Sequence, residues 1–220
     1  MMKNKSLVML VIAMVFLLAA CGNQGNGGQA EATLKPTATT PPINYKELYG
    51  TSVFLGDSIT EGLSFHDVLN EENVLAGAGK TAEFTLMDDD VDKLAARKPE
   101  KVYIHLGSTD ILWPTDNPKE YSLKQYERLI DAIQDKLPKS TITLLSVTPV
   151  TAEAEKTEPR YRNIADYNEG LKALAAKKQV NYIDLTSLVA EHTDLYDTDG
   201  IHFQAAFYPF LLDHLNGLSK

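Results

Sequence analysis

Val53-Phe54-Leu55-Gly56-Asp57-Ser58-Ile59-Thr60 is the stretch on which the reading of this chain turns. Three large apolar residues in a row, closed by a glycine, have the length and composition of a strand buried on both faces. Asp57 and Ser58 follow at once, and both are residue types that begin helices. A strand that runs straight into a helix is the first half of a βα unit. Working outward, residues 73–76 form a weaker second strand. Residues 83–97 then carry Phe84, Leu86 or Met87, Val91 and Leu94 at helical spacing. A third strand spans 101–106. The next helix spans 122–137, with Ser122 as its cap, Leu123, Tyr126, Leu129, Ile130 and Ile133 on one face, and Pro138 as its stop. A fourth strand at 141–147, a helix at 160–178, a fifth strand at 180–183 and a last helix at 205–218 complete the series. Strands alternating with helices predict an α/β fold with a parallel sheet covered on both faces. In such sheets ligands bind beyond the carboxyl ends of the strands, so residues just after each strand share one rim.

The chain has 220 residues and a formal net charge of -9. Residues 1–43 hold Lys3, Lys5 and Lys35 against Glu31, which leaves -11 on the remainder. A surface of that sign repels polyanions, and no basic stripe with interleaved aromatics appears, so nucleic acid is not an expected partner. The length suits one domain with a sizeable core.

Cys21 is the one cysteine, so no internal disulfide is available to the chain. Its position is informative. Residues 1–5 are basic, residues 7–20 are apolar, and Leu18-Ala19-Ala20-Cys21 closes the run with small residues. The run is shorter than the roughly 20 residues that span a bilayer. This segment resembles the lipobox of bacterial lipoproteins. The resemblance implies removal of residues 1–20, attachment of a diacylglyceryl group to the Cys21 thiol, and a protein held by that lipid on the extracytoplasmic face of the cell membrane. From 22 to 42 the composition turns to Gly, Asn, Gln, Thr and Pro, which reads as a tether. The expected organisation is therefore a signal peptide at 1–20, lipidated cysteine and tether at 21–43, and a folded domain at 44–220.

Chemistry concentrates in four short segments. Gly56-Asp57-Ser58 puts a hydroxyl at a strand-to-helix turn, where the helix start favours a developing negative charge. Alone, such a tripeptide is an ordinary capping turn. Asp199-Gly200-Ile201-His202 spaces a carboxylate three residues before an imidazole, which suits an orienter and a base. Alone, it is equally a surface turn beside an unrelated histidine. Gly77-Ala78-Gly79-Lys80-Thr81 and Gly107-Ser108-Thr109-Asp110 follow the second and third strands, and either one alone is loop punctuation. His105 reads as a core histidine of the third strand, His66, His192 and His214 as surface residues, and Asp88-Asp89-Asp90 as a solvated helix face. Residues 194–200 do not fit a calcium loop, because Leu195 and Ala206 stand where ligands are required. Trp113 either lines a pocket, stacking on a sugar, or packs beneath its loop.

In combination and in this order, Gly-Asp-Ser, Gly-x-Gly-x-Thr, Gly-x-x-Asp and Asp-x-x-His resemble the SGNH/GDSL hydrolase superfamily, over about residues 51–208. The resemblance implies a flavodoxin-like, three-layer α/β/α domain with five parallel strands. It implies Ser58 as nucleophile, His202 as base, Asp199 as its orienter, and the Ser58 and Gly79 amides as oxyanion donors. Where the family pattern has asparagine as a third donor this chain has Thr109, whose hydroxyl reaches less far, and Asp110 matches the motif in a structural capacity. Neither a metal nor an organic cofactor is expected. The expected reaction is hydrolysis of a carboxylic ester, with short-chain, acetyl esters of carbohydrate or cell-envelope material as substrates. A thioesterase or lysophospholipase-like acylhydrolase is the second reading, and a carbohydrate-binding module of weak turnover, from another class, is the third.

Overall fold

The computed structural model describes residues 43–218, and the expected leader, Cys21 and the tether up to residue 42 lie outside them. Five strands, β1 (Ser52–Gly56), β2 (Val74–Ala76), β3 (Lys101–His105), β4 (Thr141–Leu145) and β5 (Asn181–Ile183), pair in the order β2-β1-β3-β4-β5. Every pairing is parallel. This is the expected flavodoxin-like order, in which the chain steps to one side of β1 and then returns to the other. Gly56 pairs with both Ala76 and His105, so β1, β2 and β3 end level with one another. The loops that leave them therefore start at one height on the carboxyl edge.

Around the sheet stand α1 (Tyr45–Leu48), α2 (Ser58–Phe65), α3 (Ala82–Met87), α4 (Asp90–Arg97), α5 (Pro118–Lys136), α6 (Ala152–Thr157), α7 (Ile164–Lys178), α8 (Thr186–Glu191) and α9 (Phe207–Leu218). Successive strand residues point to opposite faces. Val53 and Leu55 accordingly join Leu94 of α4, Leu129 of α5 and Leu171 of α7 in one core. Phe54 and Tyr103, stacked at 4.7 Å, join Leu63 of α2, Leu188 of α8 and Leu211 of α9 in the other. Both faces are covered, which is why β1 and the middle of β3 read as unbroken apolar runs. Among the described residues no helix is long and apolar enough to cross a membrane.

Several expected boundaries move, each for a local reason. The helix expected over 83–97 is two helices, because Asp89 takes a left-handed φ of 57° between α3 and α4. Asp90, expected on a solvated face, is the first residue of α4 and lies buried, bonded to Lys80 and Lys93. Ser122, expected as a cap, lies inside α5, which starts four residues earlier. Asn117 accepts from the Glu120 N–H and Pro118 occupies the first turn, a stronger start signal than serine. The segment expected to be helical from 160 begins as a 3₁₀ turn, Pro159–Asn163, before α7. The short helices α6 and α8 were not expected, since six residues leave no periodic pattern to read.

One buried side chain joins the start of the sheet. Asn73 donates from Nδ2 to the carbonyls of Tyr49, Gly50 and Ser52 at 3.1, 3.2 and 2.8 Å. Asn73→Ala leaves these carbonyls, two of them buried, without that donor. The expected loss is about 2 to 3 kcal/mol of stability, read as a lower urea midpoint with an unchanged denaturant slope.

Candidate active site

Ser58 is the first residue of α2. Asp57 caps that helix, its Oδ1 accepting the Ile59 N–H at 3.1 Å, while its own N–H donates to the His105 carbonyl of β3. Helix and strand approach so closely here that a Cβ on Gly56 would fall 2.5 Å from that carbonyl oxygen. The result is a sharp turn that lifts the half-buried Ser58 hydroxyl above the sheet edge. The Ser58 N–H makes no hydrogen bond among the described residues and stands at the positive end of α2.

His202 meets this hydroxyl from 144 residues away, with Nε2 2.8 Å from Ser58 Oγ. Its Nδ1 lies 2.5 Å from Asp199 Oδ2. The other Asp199 oxygen accepts the backbone N–H groups of Ile201 and His202 at 2.8 and 2.9 Å. Burial pushes the Asp199 carboxyl up, but the bonds from the His202 ring and these two amides outweigh it and hold the carboxyl below its ordinary range. Asp199 is thus an ionised acceptor. It places the imidazole proton on Nδ1 and leaves Nε2 free to accept from Ser58. The loop carrying both residues is closed by the Tyr196–Phe203 bridge and by Asp197 N–H donating to the His202 carbonyl. Its outer side rests on the segment after β4. Tyr196 donates its hydroxyl to the Pro149 carbonyl at 2.6 Å, and Thr151 N–H donates to the Gly200 carbonyl at 2.9 Å. Gly200 has a φ of 69°, and a side chain there would strike Thr151.

The level strand ends and the strand order put the loop that carries Gly79, three residues past β2, and the loop that carries Thr109, four past β3, on either side of the turn that carries Ser58. Gly79 is exposed at a φ of 74°, and its N–H makes no bond among the described residues. Thr109 is half-buried. Its carbonyl accepts the Leu112 N–H, and its hydroxyl makes no hydrogen bond among the described residues.

Beneath these groups lies a polar layer that the motifs alone did not reveal. Asp57 Oδ2 accepts the Ser108 hydroxyl at 2.5 Å, tying the serine turn to the loop after β3. Asp110 Oδ1 accepts the Ala82 N–H at 3.1 Å and the Ser122 hydroxyl at 2.8 Å, tying that loop to α3 and α5. Ser122 also bonds to the Tyr167 hydroxyl at 2.6 Å. Asp110 is therefore structural, as expected. The motifs held Asp57 and Ser108, yet no periodic or spacing signal pairs residues 51 positions apart.

The remaining candidates sort out by place. His105 is buried in β3, and burial pushes its imidazole below the ordinary range, so it stays neutral in the core. His66, His192 and His214, expected on the surface, are half-buried. His66 packs against Tyr208, and His192 stacks on Phe210 at 4.0 Å. Trp113 stacks on Tyr121 and meets Phe84 edge-on, 5.3 Å between centroids, on the segment that follows Thr109. No cluster of three potential metal-ligating side chains occurs among the described residues.

Comparison with known proteins follows the same lines. A family profile described as GDSL-like Lipase/Acylhydrolase matches residues 54–209. No curated protein sequence matches the chain. Among solved structures, a GDSL-like lipase from Bacteroides thetaiotaomicron is 16% identical over 82% of this chain and 91% of that one, with a TM-score of 0.62. A carbohydrate esterase family 3 protein from Talaromyces cellulolyticus is 14% identical over 76% and 94%, with a TM-score of 0.58. An acetyl xylan esterase is 17% identical over 76% and 98%, also with a TM-score of 0.58. At such identities the likeness to these structures is one of fold.

Asp110 makes stability depend on pH. Burial pushes its carboxyl up to about 7 from 3.8, against the opposing pull of Ser122 and Ala82. The folded protein then binds more protons than the unfolded chain between these values. Stability is fully present below the lower value and is lost as pH rises through about 7, by roughly 1.4 kcal/mol per pH unit at most. Asp110→Asn keeps an acceptor for both donors and removes the titration. Urea midpoints measured from about pH 4 to about pH 8 are expected to fall more steeply for the wild type than for this variant.

Proposed function

The chain belongs to the GDSL-like lipase/acylhydrolase family and is a hydrolase of ester bonds, and from that premise we propose that Ser58, His202 and Asp199 form its catalytic triad, acting on acetyl esters of carbohydrate. The observation that carries the assignment is the unbroken chain of contacts from Ser58 Oγ through the His202 ring to Asp199. In the proposed reaction His202 Nε2 takes the hydroxyl proton as Ser58 Oγ attacks the ester carbonyl carbon. The oxyanion that forms accepts from the Ser58 and Gly79 N–H groups and from the Thr109 hydroxyl. Collapse of this intermediate expels the alcohol, which receives its proton from His202. Water, deprotonated in turn by His202, then releases the carboxylic acid and restores Ser58.

The acetyl-carbohydrate reading draws on three supports. The His202 and Asp199 side chains are 40% and 45% exposed, so the site opens on a wide rim that suits a small acyl group on a bulky, hydrated alcohol. Trp113, beside the Thr109 loop, supplies an aromatic surface of the kind on which sugar rings stack. Two proteins of like fold carry names that specify carbohydrate or acetyl xylan esters. A lipid on Cys21 would hold the protein at the cell envelope.

Labelling with a fluorophosphonate is expected to fall on Ser58 and to vanish in Ser58→Ala, with thermal stability unchanged. Modification of another serine refutes the nucleophile. A panel of esters from acetyl to decanoyl, together with acetylated xylooligosaccharides, tests the substrate. Rates are expected to drop with acyl length, whereas a maximum at octanoyl or decanoyl would favour a lysophospholipase-like acylhydrolase.

Thr109→Val removes the hydroxyl and keeps the shape. On an activated acetyl ester it is expected to lower kcat at least about tenfold with little change in KM, because the bond forms mainly in the transition state. A silent substitution removes Thr109 from the oxyanion hole.

A further inference from the structure

Lys80 immediately follows Gly79, and its ammonium is gripped from two sides, 2.6 Å from Asp88 Oδ2 and 2.5 Å from Asp90 Oδ2. We propose that Lys80 is a positioning residue for the reaction: its ion pairs hold residues 77–80 in the one turn geometry that aims the Gly79 N–H at the oxyanion. This inference rests on the oxyanion role proposed for Gly79 above.

The turn itself is well defined. Lys80 N–H donates to the Gly77 carbonyl at 3.2 Å, so residues 77–80 form a four-residue β-turn. Of its two central residues, Gly79 has a positive φ, 74°, and Ala78 does not. That combination is a type II turn. Types I and II share their end points and differ by a flip of the central peptide, here Ala78–Gly79, which reverses the direction of the Gly79 N–H. Selecting the donor direction is therefore selecting the turn type.

Both ends of the turn are held but its middle is not. Gly77 N–H donates to the Gly56 carbonyl, and beyond the turn Thr81 caps α3 while Ala82 N–H donates to Asp110. Ala78 and Gly79 are exposed, a Cβ on Gly79 would meet nothing within 4 Å, and among the described residues no hydrogen bond holds the Gly79 N–H. Lys80 carries the turn's one long side chain. Its stem runs beside Gly77, with Cγ 3.8 Å from where a Cβ would stand there. Its head reaches across to the α3–α4 junction. That junction is a firm anchor. The side chain of Asp90 is 4% exposed and also accepts from Lys93, which in addition bonds to the Asp88 carbonyl. Such a shielded, shared carboxylate holds its partner more firmly than an exposed surface pair does.

The cluster contains its own control. Lys93 shares Asp90 with Lys80 but belongs to α4, and among the described residues its ammonium bonds to the Asp88 carbonyl and Asp90 and to no residue of the turn. Lys80→Met leaves Asp90 paired with Lys93, and Lys93→Met leaves it paired with Lys80, so neither variant strands a buried charge. On p-nitrophenyl acetate, Lys80→Met is expected to lower kcat about tenfold, with KM within about twofold. That is part of the hundred- to thousandfold that complete loss of an oxyanion donor costs. Affinity for phenylboronic acid, which forms a tetrahedral adduct at the serine, is expected to weaken by a similar factor. Lys80→Arg is expected to restore both. Lys93→Met is expected to lower the melting temperature as much as Lys80→Met does, yet leave kcat at the wild-type level. Wild-type kcat and boronate affinity in Lys80→Met overturn the proposal, as does an equal loss of kcat in Lys93→Met, which marks a merely structural cluster. A wild type that is not labelled at Ser58 overturns the parent reading, and this one with it. Labelled wild type with unaffected Lys80→Met overturns this one alone.

Discussion

The carboxylate of Asp57 is the joint on which the site depends. Asp57 is 1% exposed, and next to Ser58 this one residue meets three separate needs. Oδ1 caps the helix that Ser58 begins, Oδ2 holds Ser108 of the neighbouring loop, and the backbone N–H extends the hydrogen bonding between β1 and β3 through the His105 carbonyl. A buried carboxylate is costly to desolvate unless its oxygens are bonded, and these bonds offset that cost only in one arrangement of the two loops. The chemistry above the sheet inherits its geometry from this constraint.

The same logic continues one layer outward. Asp110 links the loop after β3 to the start of α3, and so to the far end of the segment that carries Gly79. Ser122 and Tyr167 extend the link into α5 and α7. Serine turn, Gly79 turn and Thr109 loop are therefore not three independent loops on a rim. They are fastened from below by two buried carboxyl groups, with the Lys80 ion pairs fastening the one turn from outside. In the proposed reaction, donors preorganised in this way would need no rearrangement as the oxyanion forms, which is the main source of such donors' effect on rate.

The histidine side of the site is built differently. Asp199 and His202 are half-exposed and come from a loop near the end of the chain. That loop has a single isolated bridge and leans on the segment after β4 through Tyr196 and Thr151. Its order is set locally, by the three bonds that Asp199 accepts within three residues of itself. In the proposed reaction this open histidine side is the wall that would take the alcohol part of the ester.

How much of this was legible in the sequence depends on the range of the interaction. The unbroken apolar runs at 53–55 and 102–104, and the residues after them, determined the parallel sheet and the rim, because burial on both faces leaves a compositional trace. Ser58, Asp199 and His202 were readable as types at spacings that local geometry can use. Boundaries set by one residue's backbone, such as the left-handed Asp89 that divides α3 from α4, were not, since asparagine-like φ angles carry no periodic signal. Nor were Asp57 with Ser108, Asp110 with Ala82, or the burial of Asp90. The first two are pairings between loops that become neighbours only once the strand order brings β1 between β2 and β3, and Asp90 lies buried against Lys80 and Lys93 of its own segment, where a run of three acids gives no sign of which one turns inward. The sequence by itself determined the fold class and which groups could do chemistry. Tertiary structure alone decided which of them touch, because hydrogen bonds act over about 3 Å while their partners lie tens of residues apart along the chain.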